Sequence, residues 1–173
     1  IGLCLVGSEM CIRDRSLGLQ GTLTVLQRLD LTLPEEIVHV AGSNGKGTVC
    51  AIMAASLSMN GRKNILFTSP HVARIEERVR RNGTPISSRE FDEALIRIHH
   101  AATGDSNIPP IELTFFEITY LVAMVASQGC EVLILETGLG GRLDATRSGP
   151  ATISLVTSVS LEHRDILGQD LPS

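Results

Sequence analysis

Apolar positions along the chain fall into two kinds of block. Short, nearly continuous apolar runs read as buried strands at Ile37 to Val40, Asn64 to Thr68, Glu131 to Glu136 and Thr152 to Ser158. Longer stretches between them carry a helical pattern. Thr48 to Met59 is a helix rich in Ala, Met and Leu, closed by Asn60-Gly61. Ser87 with Glu90 reads as a capping box opening a helix that runs to about Ala102. Thr114 with Glu117 reads as a second box, for a helix to about Gln128 that Gly129 stops. Leu17 to Leu29 is a weaker helix, interrupted by Gly18 and Gly21. Arg74 to Arg81 reads as an edge strand turned by Asn82-Gly83, and Thr103 to Pro110 as a loop of Gly, Pro and polar residues. Strands separated by helices imply an α/β fold, a mostly parallel sheet covered by helices on both faces. Ligands of such sheets sit beyond the carboxyl ends of the strands, where this chain places its glycine-rich segments.

The two ends break the pattern. Residues Ile1 to Arg15, IGLCLVGSEMCIRDR, have no sustained period and no basic stretch ahead of their apolar run. They make a poor signal peptide and read as a non-native head, leaving 16–173 as the domain. Gln169 to Ser173 has no stopping element, so the expectation is a fragment with a missing tail.

Composition narrows the classes. At 173 residues the chain is one domain's length, and 43% hydrophobic with 20% charged residues argues against disorder. Aromatics at 3%, with no Trp, imply an aliphatic core. A net charge of −4 argues against coating nucleic acid, which wants a basic footprint. No apolar run approaches the ~20 residues of a membrane span. Cys4, Cys11, Cys50 and Cys130 form no CxxC pair and read as free thiols in a reducing, cytoplasmic setting, with Cys50 and Cys130 in the core. Met53 and Met59 read as core packing and His99-His100 as solvated. The cluster Arg74, Arg78, Arg80 and Arg81 reads as a solvated or substrate-facing edge.

The strongest chemical signal is Val40-Ala41-Gly42-Ser43-Asn44-Gly45-Lys46-Gly47-Thr48, between a strand and a helix. Glycines let backbone N–H groups turn around phosphate oxygens, and the helix N-terminus adds positive charge. Lys46 can reach outer phosphates and Thr48 can face a Mg²⁺ or a phosphate. Gly47 intervenes between Lys46 and Thr48, so this is not a strict GxxxxGK[ST]. The alternative is a glycine turn with a solvated lysine. Glu136 ends an apolar strand, where a phosphate-loop protein commonly holds Mg²⁺; the alternative is an exposed strand-end acid. In the following TGLGGRLDAT, Arg142 can pair with a phosphate or carboxylate and Asp144 can accept from a substrate amine.

Taken together, AGSNGKGT, LFTSPHVARIEERVRRNG, LTFFE, LILETGLGGRLDAT and LVTSVSLEHRDILG resemble the successive motifs of the folylpolyglutamate synthase and dihydrofolate synthase family, in the Mur ligase superfamily. The resemblance runs from about Leu17 to Leu171. It implies a Mur ligase central-domain fold, with ATP and Mg²⁺ as cofactors. It implies a ligase that activates a carboxylate as an acyl phosphate for attack by the amine of L-glutamate. The acceptor would be dihydropteroate or a folylpolyglutamate, and the enzyme a monomer acting on small molecules, without nucleic acid or membrane. By position, Gly42, Asn44, Gly45, Lys46, Gly47 and Thr48 resemble the ATP loop, and Ser69, Glu136 and His163 the Mg²⁺ ligands. Lys46, Glu136 and His163 resemble the catalytic set. Glu112, Leu113, Thr114 and Phe115, with Leu143, Asp144 and Ala145, resemble the pterin-substrate contacts, and Arg142 is a further substrate-binding candidate. Imidazole is an unusual magnesium ligand, so His163 rests on the resemblance; alone it reads as a structural histidine. Phe115 or Phe116 would offer an aromatic face to a pterin ring. Ser43, Glu162 and Arg147 stand where the family usually has Thr, Asp and Asn. The family's carbamylated lysine and C-terminal domain are expected beyond this chain, which alone should turn over little. The competing readings are another Mur-type carboxylate–amine ligase and a non-catalytic nucleotide-binding remnant.

Overall fold

In a computed structural model the described residues are 19–104, 109–141 and 144–160. Two inner strands of a six-stranded sheet are largely apolar on both faces. These are β1 (Glu36–Ala41) and β5 (Val132–Glu136), the latter buried along its whole length. β2 (Asn64–Phe67) lies on the far side of β5, and β6 (Ile153–Val156) flanks β1. These four are mutually parallel. β3 (Val79–Arg81) and β4 (Thr84–Pro85) add an antiparallel edge, giving the order β4-β3-β2-β5-β1-β6.

Side-chain alternation splits the core into two layers. Ile37, Ile65, Phe67, Leu133 and Leu135 face α1 (Gln20–Leu29), α3 (Ser88–Thr103) and α4 (Phe115–Ala126). Val38, Val40, Leu66, Val132 and Ile134 face α2 (Lys46–Met59). α3 is amphipathic, burying Phe91, Ala94, Ile98 and Ala102 on one stripe. α4 is apolar all round, because α3 covers the side that the sheet does not. Tyr120 and Phe67 are both fully buried in edge-to-face contact at 6.1 Å. Each aliphatic or aromatic side chain so buried contributes about 1.5–3 kcal/mol.

The expected parallel sheet with helices on both faces is present, and four expectations need correction. Residues 74–81 are not one strand: Ile75–Arg78 is a 3₁₀ turn, and only Val79–Arg81 pairs. The cause is Glu77, whose carboxylate accepts from the backbone N–H groups of Val72, Ala73 and Arg74 and curls the chain. The box at Ser87 is half formed. Glu90 N–H donates to Ser87 Oγ at 3.1 Å, while the Glu90 carboxylate pairs with Arg81. Met59 is 88% exposed, because α2 packs through Cys50, Ala54 and, partly, Val49, Met53 and Leu57. Arg78 of the basic cluster is buried rather than solvated. Cys50 is buried and Cys130 half-buried, both as free thiols. Cys4, Cys11 and the head lie outside the described residues. Among the described residues no helix is long and apolar enough to cross a membrane.

Candidate functional site

Parallel strands bring their carboxyl ends to one edge, and the chemistry-bearing segments meet there. The loop from Gly42 to Gly45 leaves β1, Ser69 follows β2, Glu136 ends β5, and Ser158 to Ser160 follow β6. The β1 loop is laced to the segment after β6. Ser43 N–H donates to Ser158 O at 2.7 Å, Ser43 Oγ donates to Ser160 O at 3.1 Å, and Ser160 N–H donates back to Ser43 Oγ at 2.9 Å. The serine that departs from the family pattern is thus the loop's anchor. Gly42 sits at φ +137, and a Cβ there would lie 2.1 Å from Thr157 Oγ1, so the loop depends on glycine at this point.

Gly45 at φ +83 is the N-cap of α2, and with no side chain to offer it caps none of the first-turn N–H groups. Those amides and the helix dipole make an anion-binding end. Lys46 Nζ curls onto the loop, donating to Gly42 O at 2.8 Å and Ser43 O at 3.2 Å. An ammonium held by neutral carbonyls is available to a better acceptor such as a phosphate oxygen.

Glu136 closes the site from below. Its side chain is buried, with Oε2 accepting from Ser69 N–H at 3.2 Å. A Cβ on Gly47 would stand 3.3 Å and 3.4 Å from its two oxygens, so the carboxylate lies directly against the first turn of α2. Burial raises its pKa, opposed by the Ser69 amide, the Lys46 charge and the Gly47 amide. Its field extends to Cys50, whose thiol is pushed up to about 12 by burial and by Glu136. Thr137 Oγ1, the next side chain, is buried without a hydrogen-bond partner. A buried carboxylate suits a hard, oxygen-seeking cation. The described residues contain no cluster of three or more His, Cys, Asp and Glu. Glu136 is thus the one carboxylate that the described residues bring to this point, and His163, the other expected ligand, lies outside them.

The substrate candidates divide. Glu112 is exposed, and Leu113, Thr114 and Phe115 are half-buried. Thr114 caps α4 in a complete box with Glu117, as expected. Phe115 lies under the Arg78 guanidinium at 4.9 Å, and Arg78 Nε donates to His71 Nδ1 at 3.0 Å. Phe116 packs inward on Phe67 at 5.6 Å. Ala145 is buried. Asp144 is 6% exposed and faces inward: Oδ2 accepts from Gly138 and Leu139 N–H at 2.8 and 2.9 Å, and Oδ1 from Thr146 N–H and Oγ1 at 3.0 and 2.5 Å. In this geometry its carboxylate organises the loop. Arg142, Leu143 and His163 lie outside the described residues. An open cavity of about 670 Å³ between α1 and α3, lined by Arg28, Arg97 and His100, shares no residue with this edge.

No family model matches the chain. It is 40% identical over 160 residues to the dihydrofolate synthase/folylpolyglutamate synthase of Escherichia coli K12, covering 91% of this chain and 36% of that protein. A relative of the same name from Buchnera aphidicola is 34% identical over 173 residues, covering 98% and 41%. A bifunctional folylpolyglutamate synthase/dihydrofolate synthase solved with Mn, AMPPNP and L-glutamate superposes with a TM-score of 0.80 at 38% identity, covering 93% and 40%. E. coli FolC in complex with DHPP and ADP gives 0.81 at 37%, covering 94% and 40%. The chain belongs to the folylpolyglutamate synthase/dihydrofolate synthase family. It spans about two fifths of the length of the family members it matches.

Within this family frame, several residues at the edge were not singled out from sequence. Thr137 lies inside a glycine motif whose other residues carry the stronger chemical signal. Arg78 was read as one of a charged cluster, although it is the member stacked on Phe115. His39 and Thr146 join Asp144 in one buried chain, His39 Nε2 lying 2.6 Å from Thr146 Oγ1. The available signal was a histidine in an otherwise apolar strand, since a buried polar group needs a partner.

Proposed function

We propose that this chain is the ATP- and Mg²⁺-binding part of a ligase that joins L-glutamate to dihydropteroate, to a folylpolyglutamate, or to both. The observation that carries the reading is the buried Glu136 carboxylate set against the glycine-bearing first turn of α2. That pairs an anion-binding helix end with a metal-binding oxygen pair. Similarity to family members solved with AMPPNP or ADP, Mn and L-glutamate supports it. ATP supplies the phosphoryl group that activates a carboxylate. The chain's own part is to hold and neutralise charge. The amides of Gly45, Gly47 and Thr48 and the Lys46 ammonium take phosphate oxygens, within a loop that also includes Gly42 and Asn44. Ser69 and Glu136, with His163, hold the cation. Glu112 to Phe115, with Arg142 and Leu143, are the candidates for contact with the pterin-bearing substrate, while Asp144 and Ala145 serve it indirectly, by holding the loop after β5. We place this enzyme in the cytoplasm as a monomer acting on small molecules, with neither nucleic acid nor membrane as a partner.

Calorimetric titration with ADP, with and without Mg²⁺, tests the reading. Lys46→Met removes a charge-assisted bond and should weaken binding about 10- to 150-fold under both conditions. Glu136→Gln should abolish the gain due to Mg²⁺ and leave metal-free binding as strong or stronger. A chain that binds no ADP, or binds equally in both variants, refutes it.

A further inference from the structure

We propose that His39 is a positioning residue for the glycine-rich loop after β5, setting its backbone through Thr146 and Asp144 without touching a ligand. His39 lies mid-strand in β1, only 7% exposed, on the face that packs against α1 and α4. A polar ring in such a place needs a hydrogen-bond partner, and it has one in Thr146 Oγ1, which is fully buried.

The direction of each bond follows from donor arithmetic. Asp144 accepts three backbone N–H groups, one from Thr146 and two from Gly138 and Leu139. An ionised carboxylate only accepts, so the Thr146 hydroxyl donates to it. Thr146 Oγ1 must then accept from His39, which places the imidazole proton on Nε2. Burial lowers the pKa of His39, with the Asp144 charge opposing and the Arg147 charge assisting. A neutral ring has one proton to place, and this relay selects the Nε2–H tautomer.

The consequence reaches the site. Asp144 Oδ2 pins the amides of Gly138 and Leu139, two and three residues beyond Glu136. The relay ties a central strand to a loop some 100 residues later, at the edge where Glu136 faces α2. The purpose assigned to the loop rests on the nucleotide reading above; the relay itself does not.

The test uses the full chain, isotopically labelled. Long-range proton–nitrogen spectra report the tautomer of His39. Amide exchange is followed at Gly138 and Leu139, with Leu133 and Ile134 in β5 as internal references. The expected tautomer carries the proton on Nε2. His39→Leu and Thr146→Val should speed exchange at Gly138 and Leu139 at least tenfold relative to the β5 amides. His39→Gln, whose side-chain amide still donates toward Thr146, should stay within threefold of the parent. A proton on Nδ1, a uniform change across loop and strand, or His39→Gln behaving like His39→Leu would overturn the proposal. If His39→Leu does not fold, the tautomer and Thr146→Val decide it. No readout involves nucleotide, so a failure here is distinct from a failure to bind ADP.

Discussion

Replacing Gly138 by alanine should cost stability through one identifiable contact. An added Cβ would stand 2.7 and 2.8 Å from Cε2 and Cζ of Phe116, and 3.2 Å from Asp144 Oδ2. Carbon atoms prefer about 3.5–4.0 Å, so the shortfall is about 0.8 Å. The ring is blocked on its inner side, because Phe116 packs edge-on against Phe67, which is fully buried and itself held against Tyr120. If the core absorbs the methyl, overpacking costs about 1–3 kcal/mol. If the loop moves instead, the bonds from Gly138 and Leu139 N–H to Asp144 stretch, each worth about 1.5–3 kcal/mol as a bond to a charged group. With the bonds stretched rather than broken, either route gives about 1–3 kcal/mol, which for a chain of this size lowers Tm by about 2–12 °C. Thermal unfolding followed by circular dichroism reads it. Gly141→Ala in the same loop is the control, since its Cβ would meet only Ala41 Cβ at 3.9 Å. Phe116→Leu in the Gly138→Ala background should recover part of the loss, because the smaller side chain vacates the contested space. Equal melting of the two alanine variants, or strict additivity in the double variant, would refute the steric argument.

Two further outcomes follow from buried carboxylates. Glu117 accepts from Thr22 Oγ1 at 2.6 Å and Thr114 N–H at 2.8 Å, so Glu117→Ala leaves two donors without an acceptor and opens the α4 cap. It should cost about 2–4 kcal/mol, read as a lower urea midpoint at unchanged slope, and an unshifted midpoint would contradict it. Glu76 is held down at about 2 by the Ser88 hydroxyl, by its own backbone amide and by Arg74. A lowered folded value means its stabilisation is complete above the unfolded carboxyl value of about 4.3 and fades as pH falls toward 2. Glu76→Gln should therefore flatten the stability profile between pH 5 and 2 (by about those limits), and a profile parallel to the parent's would exclude this role.

The strand, glycine-bearing loop and helix around Lys46 were legible because they are local, following one another without interruption in the chain. The position of Glu136 at the end of β5 was legible for the same reason, as a lone acid ending an apolar run. The edge at residues 74–81 was misread because its apolar and basic residues say nothing of Glu77, whose acceptor oxygens collect three amides and bend the chain. Met59 was misplaced because α2 is apolar on nearly every side, so its pattern does not say which face meets the sheet.

Asp144 shows the deeper limit. In sequence it stands in a glycine-rich loop and reads as an outward ligand, since loops carry function. In the fold its oxygens turn inward because Gly138 and Leu139 present amides on one side, while Thr146 and His39 complete the chain on the other. That partner set is drawn from β1, from the loop after β5 and from the 3₁₀ turn at Ala145–Ser148, with His39 and Thr146 separated by 107 positions. No window along the chain contains it. What the sequence does carry is the anomaly: in EIVHVA, Ile37 and His39 alternate onto the same buried face, so the strand period itself predicts a buried imidazole. A buried imidazole obliges some distant hydroxyl or carboxylate to meet it. Where local pattern and polarity conflict in this way, the conflict marks the position that the rest of the fold was built to answer.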